Sequence, residues 1–479
     1  MRSGSGSGLV VRDLVDALGA DAVVTDSQEL ARYRGIAWGV ATSRIPLARP
    51  VAQASVVVRP RSTADVQSVV RVARETGAPI VPYGAGTGVH AGAAPVEGSI
   101  VLDLGAMQTV HEINRADRLA TVEPGVVLGD LDRMAASHGL MVGHDPWSQP
   151  IASVGGATST NGVGYLAGKY GPMGAQVLGM EVVLGTGNLI RARPVPKSST
   201  GPEIRHLFIG AEGVFGIITR LDVRLFPIPE RRRLSGYVFD RFEAGLDAVM
   251  EMSAIQLQPS MIDYEEDRAL APPEAGNLVD RESLMYLAFE GFEEEVEAQV
   301  ARADRICRHA GGAPMANEQV QYFWDTRHES AERYLEQRAR DPDSLARRDR
   351  QWRSSTTYLN VTLRPSTILE YRHRVAAELK PTRIVVKDAG VWGIPELFSI
   401  RLEHLAPGTE QSDRELEAAM DLGLRVAQDL GGSMEYCHGV GLRLAHLMGD
   451  ELGSGLEALR EIKRALDPDW LLNPGKLAL

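Results

Sequence analysis

The chain has 479 residues, of which 44% are apolar and 24% are charged, and its net charge is −12 from 51 basic and 63 acidic residues. Because a domain usually has about 100–200 residues, this length suggests two to four domains with ample material for hydrophobic cores. The apolar fraction excludes a disordered chain, and the acidic balance argues against a nucleic-acid-binding protein. No apolar run has the roughly 18 residues that a transmembrane helix needs.

The cysteines and the N-terminal residues bear on the cellular compartment. Cys307 and Cys437 are too few for an iron–sulfur cluster or a zinc site with four cysteine ligands, although they could form one disulfide. Nothing about them indicates an oxidising compartment. The first residues, MRSGSGSGLVV, lack the apolar core of a secretory signal. We therefore expect a cytoplasmic protein.

The first informative stretch is a strand, a helix and a second strand that lead into a glycine-rich loop. Strands are expected at 54–59 and 78–81, and the apolar spacing of 66–73 predicts a helix between them. The loop that follows has the sequence Pro82-Tyr83-Gly84-Ala85-Gly86-Thr87-Gly88. Glycines allow successive N–H groups to face one concavity, which favours a phosphate site, and a plain glycine-rich turn is the alternative. A strand at 99–104 follows instead of a helix, which argues against a Rossmann dinucleotide motif.

Two further glycine-rich segments follow in the first half of the chain. Asp145-Pro146 precedes 151–164, where small residues alternate with hydroxyls and one amide. We expect this segment to be a loop whose backbone lies against a flat ligand. The segment 208–218 has a strand–glycine–strand pattern, and strands are also expected at 179–184 and 221–227.

The character of the chain changes after residue 230, where charge rises and glycines become fewer. Helices are expected at 293–311, 412–430 and 455–466, and strands at 358–363 and 398–403. Repeated strand–helix units of this kind favour an α+β domain in which helices cover one face of an antiparallel sheet.

Taken in order, the glycine-rich segments resemble the vanillyl-alcohol-oxidase superfamily, also called PCMH-type flavoproteins. The motifs that carry the resemblance are PYGAGTG, SVGGATSTNGVG, GMEVVLGTGNLI, KSSTG, LFIGAEGVFGIIT and ALDPDWLLNPGKL. The resemblance implies an α+β fold with a two-subdomain FAD-binding domain, an α+β cap domain built on an antiparallel sheet, and a C-terminal segment that returns to the FAD side. The expected divisions are 1–50, 51–230, 231–432 and 433–479.

The same resemblance implies FAD as the cofactor and assigns residues to it. The loop 82–88 would hold the pyrophosphate, and 212–218 would reach the adenine half. The ranges 145–151, 153–156 and 158–161 would line the isoalloxazine and ribityl chain. The expected FAD-binding residues are Pro82, Tyr83, Gly84, Ala85, Gly86, Thr87, Gly88, Asp145, Pro146, Ser153, Gly155, Gly156, Thr158, Thr160, Asn161, Glu212, Gly213, Gly216, Ile217, Ile218 and Asn473. Gly86 stands where some members carry a linking histidine, so non-covalent FAD is expected.

The candidate catalytic residues lie in the second half of the chain. His438 is the first candidate for the base that takes a hydroxyl proton, because an ordinary histidine pKa near 6.5 suits proton transfer. Arg327, in a W-x-x-R motif, could clamp a carboxylate or phosphate with help from Arg401. His404 and Tyr436 are further candidates. An ordinary structural role is the alternative for each of them, and Glu403 with His404 makes an incomplete zinc set, so no metal is expected.

The resemblance implies an FAD-dependent oxidoreductase that oxidises a small alcohol or 2-hydroxy acid by hydride transfer to flavin N5. One alternative is an oxidase of phenolic or aromatic alcohols, and another is a non-redox transferase like alkyldihydroxyacetonephosphate synthase, whose H-H-G-V-G loop resembles residues 437–441. A flavin-storing protein without catalysis is a third alternative. The expected partners are a small-molecule substrate and either dioxygen or another electron acceptor, and a homodimer is compatible with the sequence.

Overall fold

A computed structural model describes residues 5–34, 51–266, 281–341 and 356–479. The strands, β1 to β17 in chain order, are Val23–Val24, Val56–Val58, Ile80–Tyr83, Ile100–Asp103, Val110–Asn114, Leu119–Val122, Leu140–Val142, Val177–Val183, Leu189–Ala192, Ile217–Pro227, Arg231–Phe239, Met261–Glu266, Ser283–Gly291, Ala313–Pro314, Thr356–Thr362, Ile384–Trp392 and Leu397–His404. The helices, α1 to α15, are Ser5–Leu18, Ser27–Ala31, Thr63–Thr76, Leu128–Ala136, Val154–Thr160, Ala167–Tyr170, Met173–Gln176, Phe242–Ala254, Glu293–His309, Asn317–Thr326, Glu329–Arg340, Ile368–Leu379, Glu410–Asp429, Met448–Leu452 and Gly455–Leu466.

The first sheet has the order β1-β2-β4-β3, and β4 pairs in parallel with both β2 and β3. Helix α3 connects β2 to β3, and its valines at 66, 69 and 70 are fully buried against this sheet and α1. Each buried valine contributes about 1.5–3 kcal/mol of transfer free energy. The glycine-rich loop thus lies between two strands, β3 and β4, as the sequence predicts, and the structure shows that these strands pair in parallel. β1 lies within the expected N-terminal segment 1–50, the part of which beyond residue 34 is outside the described residues.

The second sheet is antiparallel, with the order β5-β6-β10-β8-β9, and β7 also pairs with β10. The third sheet is a seven-stranded antiparallel sheet with the order β14-β11-β13-β12-β16-β17-β15. Its first strand along the chain, β11, begins at Arg231. This is the point after which the sequence has more charged residues and fewer glycines. This arrangement confirms the expected α+β fold, with two sheets before residue 230 and an antiparallel sheet after it, whereas the four domain boundaries stay predictions.

The C-terminal segment returns to the first sheet. Leu472 forms a parallel bridge with Ile80 of β3, and Asn473 N donates to the Ile80 carbonyl at 2.7 Å. Behind this bridge the fully buried Lys463 Nζ donates to Asp467 Oδ2 at 2.6 Å and to the Leu472 carbonyl at 2.7 Å. The buried ion pair therefore holds the end of the chain against β3.

Two expectations for the glycine-rich segments are wrong. The stretch 151–164, expected to be a loop, contains α5, because Ser153 Oγ accepts a hydrogen bond from Gly156 N and caps a helix of small residues. The stretch 208–216, expected to begin with a strand, consists of turns in which Gly210 and Gly213 have positive φ, and only β10 is extended. Within the described ranges, no helix is both long and apolar enough to cross a bilayer.

Replacing Lys463 with methionine is expected to lower the free energy of unfolding by about 3–5 kcal/mol, because the Asp467 carboxylate stays buried without its cation. Urea unfolding of the variant and the parent protein measures the difference. Arg464→Met is the matched control, since Arg464 pairs with Glu461 at the surface, and a change within about 1 kcal/mol is expected there. Equal losses in the two variants would contradict the assignment.

Candidate active site

A cavity opens where the glycine-rich loop, α5, the turn before β10 and the C-terminal segment meet. The space free of protein atoms there, with the open solvent at its mouth included, is about 1260 Å³. Sixteen of the expected FAD-binding residues line it, namely Pro82, Tyr83, Gly84, Ala85, Gly86, Thr87, Gly88, Pro146, Gly155, Gly156, Thr160, Glu212, Gly213, Gly216, Ile217 and Ile218. The sequence thus brings three separate glycine-rich segments to one concave surface.

The remaining expected FAD-binding residues lie behind the lining and hold it in place. Ser153 caps α5, and Thr158 Oγ1 donates to the Val154 carbonyl within that helix. Asn161 ends α5 with φ 51°, and its Oδ1 accepts from Gly174 N at 2.9 Å. Their side chains therefore shape the backbone that faces the cavity.

Asn473 connects three parts of the cavity wall. Its Nδ2 donates to the carbonyl oxygens of Gly92 at 2.9 Å and Glu212 at 2.6 Å. The Glu212 carboxylate in turn accepts from Val440 N and Gly441 N, and burial raises the pKa of Glu212. The C-terminal segment is thus hydrogen-bonded to both the glycine-rich loop region and the turn before β10.

The cavity wall fits the phosphates and flat ring of FAD. A Cβ at Gly84 would lie 2.6 Å from Ser153 Oγ, and one at Gly86, whose φ is 68°, would overlap the Tyr83 hydroxyl, so these positions require glycine. Within the described part of the chain the lining holds no lysine or arginine, which leaves backbone N–H groups to meet phosphate charge. His144 Nδ1 is buried without a hydrogen-bond partner among the described residues and offers one polar contact.

His438 lines the cavity, as expected, and a polar network from the cap sheet reaches its ring. Nδ1 lies 3.0 Å from Asn360 Nδ2 on β15, and Asn360 Oδ1 accepts from Ser399 Oγ on β17 at 2.8 Å. Ser399 Oγ also lies 2.7 Å from the Tyr436 hydroxyl. Tyr436, expected as a catalytic candidate, therefore contributes to the network that holds His438.

A buried carboxyl lies beside the same ring. Glu435 Oε1 accepts from the backbone N–H of Cys437 at 2.7 Å and of His438 at 2.8 Å, and its side chain is 6% exposed. Its oxygens lie 3.8 Å from Nδ1 of His90 and 3.8 Å from Nδ1 of His438. Burial raises the pKa of Glu435 to about 8, whereas burial lowers the pKa of His438 to about 4.

Arg327 binds a carboxylate of this chain where the cap contacts the cavity wall. Its Nε donates to Asp145 Oδ2 at 3.0 Å, its guanidinium lies 3.9 Å from the Trp324 ring centroid, and His328 Nε2 lies 2.6 Å from the other Asp145 oxygen. Burial alone would raise the pKa of Asp145, but His328 and Arg327 lower it. The expected carboxylate clamp thus binds a carboxylate of this chain, next to Pro146 of the lining.

The structure does not bring Arg401, His404 and Glu403 to the cavity. Arg401 pairs with Asp388 of the neighbouring strand. His404 Nδ1 accepts from Ala406 N, so its Nε2 carries the hydrogen and donates to Glu415 Oε2 at 2.8 Å. Successive strand residues point to opposite faces, so Glu403 and His404 cannot share one metal ion.

Several lining residues are missing from the expected set. His90, His144, Trp147, Ser148 and Cys437 all face the cavity. For two of them the sequence does offer a signal. His90 follows the glycine-rich loop by two residues, and His144 directly precedes Asp145. Asn360 offers no such signal, since it lies in an alternating strand of the cap.

Gly86→Ala is expected to abolish flavin binding, because the added methyl collides with the Tyr83 hydroxyl at a positive φ. The ratio of yellow absorbance to protein absorbance in the purified variant measures it. Gly449→Ala, at a position with open space around the new Cβ and no positive φ, is the control and should keep the parent ratio. A fully yellow Gly86→Ala protein would contradict this cradle.

The non-covalent attachment of FAD to the protein stays a prediction, which acid precipitation tests. Burial raises the pKa of Cys437 to about 12, so its thiolate is scarce as a nucleophile toward the ring. Acid precipitation is expected to leave the yellow colour in the supernatant. Colour retained in the pellet would contradict dissociable FAD.

Solved structures share this fold at low sequence identity. A p-cresol methylhydroxylase with substrate bound aligns with a TM-score of 0.76 at 20% identity, covering 100% of this chain and 98% of that one. An alkyldihydroxyacetonephosphate synthase aligns with a TM-score of 0.73 at 19% identity, covering 98% and 86%. These similarities concern the fold alone.

Sequence relatives and family models extend over nearly the whole chain. The D-lactate dehydrogenase of Archaeoglobus fulgidus is 30% identical over 442 residues, covering 90% of this chain and 93% of the relative. The glycolate oxidase subunit GlcD of Bacillus subtilis is 28% identical over 436 residues, covering 88% of each chain. Residues 54–193 match the FAD binding domain, and 228–477 match the C-terminal domain of FAD linked oxidases. The chain therefore belongs to the FAD-linked oxidase family, and its cofactor is FAD.

Proposed function

We propose that this enzyme oxidises a small 2-hydroxy acid at the cavity lined by His438. The observation that carries the proposal is the position of this imidazole, which faces the FAD cavity from the C-terminal segment and is held from the cap by Asn360. The names of the relatives, glycolate oxidase and D-lactate dehydrogenase, support the same substrate class. FAD, when bound, supplies the acceptor for the hydride that leaves the substrate carbon.

His438 would take the hydroxyl proton through Nε2, since Nδ1 faces Asn360. Its lowered pKa keeps the ring neutral at neutral pH, so it can accept a proton. The Asn360 amide can turn its oxygen or its nitrogen toward Nδ1, because Ser399 Oγ can donate to one and accept from the other. The form with the oxygen toward Nδ1–H leaves Nε2 as the base.

Oxidation of an aromatic alcohol is the second candidate, and the side chains near the cap favour it. Tyr165 packs edge-on against Trp392 at 5.2 Å and against Phe323 at 6.4 Å between ring centroids. Trp392 also packs with Val163 and Cys437, which line the cavity. An aromatic cluster that packs behind Val163 and Cys437 of the lining suits an aromatic ring better than a carboxylate. Replacement of Tyr165 by alanine separates the candidates, since it should weaken only aromatic substrates.

Anaerobic mixing with candidate substrates tests the proposal, because a substrate bleaches the oxidised flavin. A series of D-2-hydroxy acids should bleach it, and a matched series of aromatic alcohols serves as the comparison. Failure of every hydroxy acid with bleaching by aromatic alcohols would overturn the proposal in favour of the second candidate.

His438→Asn is expected to lower kcat/KM for the substrate by about 10²–10⁴-fold, the usual contribution of a general base. The flavin content should stay at the parent value, since the loop backbone is unchanged. His309→Asn, at the exposed end of α9, is the control. An unchanged kcat/KM in His438→Asn would exclude this imidazole as the base.

A further inference from the structure

We propose that the Glu435 carboxyl accepts the proton that His438 takes from the substrate, so that a buried carboxyl beside the imidazole is the next proton site. This inference rests on the proposed function for the identity of the reaction. It adds a positioning residue whose side chain acts through His438. The expected base, His438, is thereby one part of a larger acid–base unit.

The geometry places one carboxyl between two imidazoles. Glu435 oxygens lie 3.8 Å from Nδ1 of His438 and 3.8 Å from Nδ1 of His90, and the two rings lie edge to face with centroids 5.5 Å apart. The hydrogen bonds from the backbone N–H of Cys437 and His438 anchor the carboxyl in the turn that carries the base. A ring movement of about 0.6–1 Å brings Nδ1 within hydrogen-bond range of the carboxyl.

The proton balance of the step is simple. The substrate O–H bond breaks and a new N–H bond forms at His438 Nε2, while the proton on Nδ1 passes to a Glu435 oxygen. The ring ends neutral with its proton on Nε2, the tautomer that accepts at Nδ1 from Asn360 Nδ2. These side chains move only a proton, and both tautomers of His438 find a partner in Asn360.

A second proton-accepting group is needed because the His438 ring holds a proton only weakly. Burial, with a further contribution from the charge of Arg443, lowers the pKa of His438 to about 4. The protonated ring therefore loses its proton readily at neutral pH. Burial raises the pKa of Glu435 to about 8, although its backbone hydrogen bonds and Arg443 act against the rise. The proton is therefore held far more firmly on the carboxyl than on the ring.

Among the described residues, several titratable or charged groups surround the Glu435 carboxyl. The titratable and charged groups that face it are His90, His438, Cys437, Tyr436 and Arg443. Burial lowers the pKa of His90 and raises those of Cys437 and Tyr436, so all three are neutral near pH 7. Arg443 donates two hydrogen bonds to the Glu417 carboxylate. Glu435 is thus the group of this set that titrates near pH 8.

A proton suits the cluster better than a metal ion. His90 Nδ1 donates to the Gly439 carbonyl at 2.7 Å, so the nitrogen nearest the carboxyl already carries a hydrogen. His438 Nδ1 faces Asn360 at 3.0 Å. Metal binding would require both contacts to break, whereas proton transfer uses one of them.

The first experiment needs no substrate. Glu435→Gln keeps an oxygen for the two backbone N–H groups but cannot ionise. An acid whose pKa rises on folding loses stability as pH increases from its ordinary value, 4.5, to its folded value of about 8. The melting temperature of Glu435→Gln minus that of the parent, both loaded with FAD, should therefore increase from pH 5 to pH 9. The difference for the exposed control Glu294→Gln should stay flat.

The second experiment measures kcat against pH with a substrate found by flavin bleaching. The parent rate should rise as Glu435 ionises near pH 8. Glu435→Gln should match the parent at pH 6 and fall about 10²-fold below it at pH 9, while Glu435→Asp should restore part of the rise. A purely structural role would lower the rate equally at every pH.

The outcomes separate this inference from the proposed function. A melting difference that does not change with pH overturns the inference whether or not a substrate is known. A growing melting difference with an unaltered pH–rate profile also overturns it, and so does a stoichiometric metal ion found by elemental analysis. Failure of all hydroxy acids to bleach the flavin contradicts the proposed function, while the melting curves still decide whether Glu435 holds the buried proton.

Discussion

The return of the C-terminal segment to β3 is the contact on which the rest of the site depends. Leu472 pairs with Ile80 at the strand that leads into the glycine-rich loop, and the buried Lys463–Asp467 pair stabilises that bridge from behind. Residues 435–441 of the same C-terminal segment are fixed to the cavity wall by the hydrogen bonds from Val440 N and Gly441 N to the Glu212 carboxylate. A buried ion pair is costly to form and more costly to break, which makes the return specific.

The second constraint is that buried charges find partners across separate segments of the chain. Glu212 accepts from the backbone of 440–441, and Asp145 accepts from Arg327. These contacts connect the FAD-side sheets to the C-terminal segment and to the cap. Arg327 and Arg401 each bind a carboxylate of the chain, and their expected role as anion clamps stays a prediction. Glu435 differs from them, since backbone N–H groups and not a cation hold its carboxyl.

Two sides of the cavity are built in different ways. Glycine backbone from three segments forms the FAD side, and its shape follows from the absence of Cβ atoms. On the other side the C-terminal segment contributes Cys437 and His438, and side chains of β15 and β17 support His438 from behind the lining. This division lets one family keep a cofactor while its members differ in substrate, because a change in a cap strand leaves the glycine backbone intact.

Local sequence determined the parts of this protein that depend on backbone geometry. The periodicity of 66–73 and the glycine-rich loop sufficed to predict the helix and a loop between two strands, and the strand–helix units after residue 230 indicated an α+β domain. FAD followed from the resemblance that the ordered glycine-rich motifs carry. Tertiary structure alone decided which side chains meet, since Asn360, Ser399, Glu435 and His90 come from four distant stretches and carry no common local pattern. It also decided that His404 points to Glu415, whereas α5 within 151–164 has a local cause in the Ser153 cap. The physical reason is that glycine acts through its own φ and ψ, whereas a buried polar side chain acts through partners that only folding brings near.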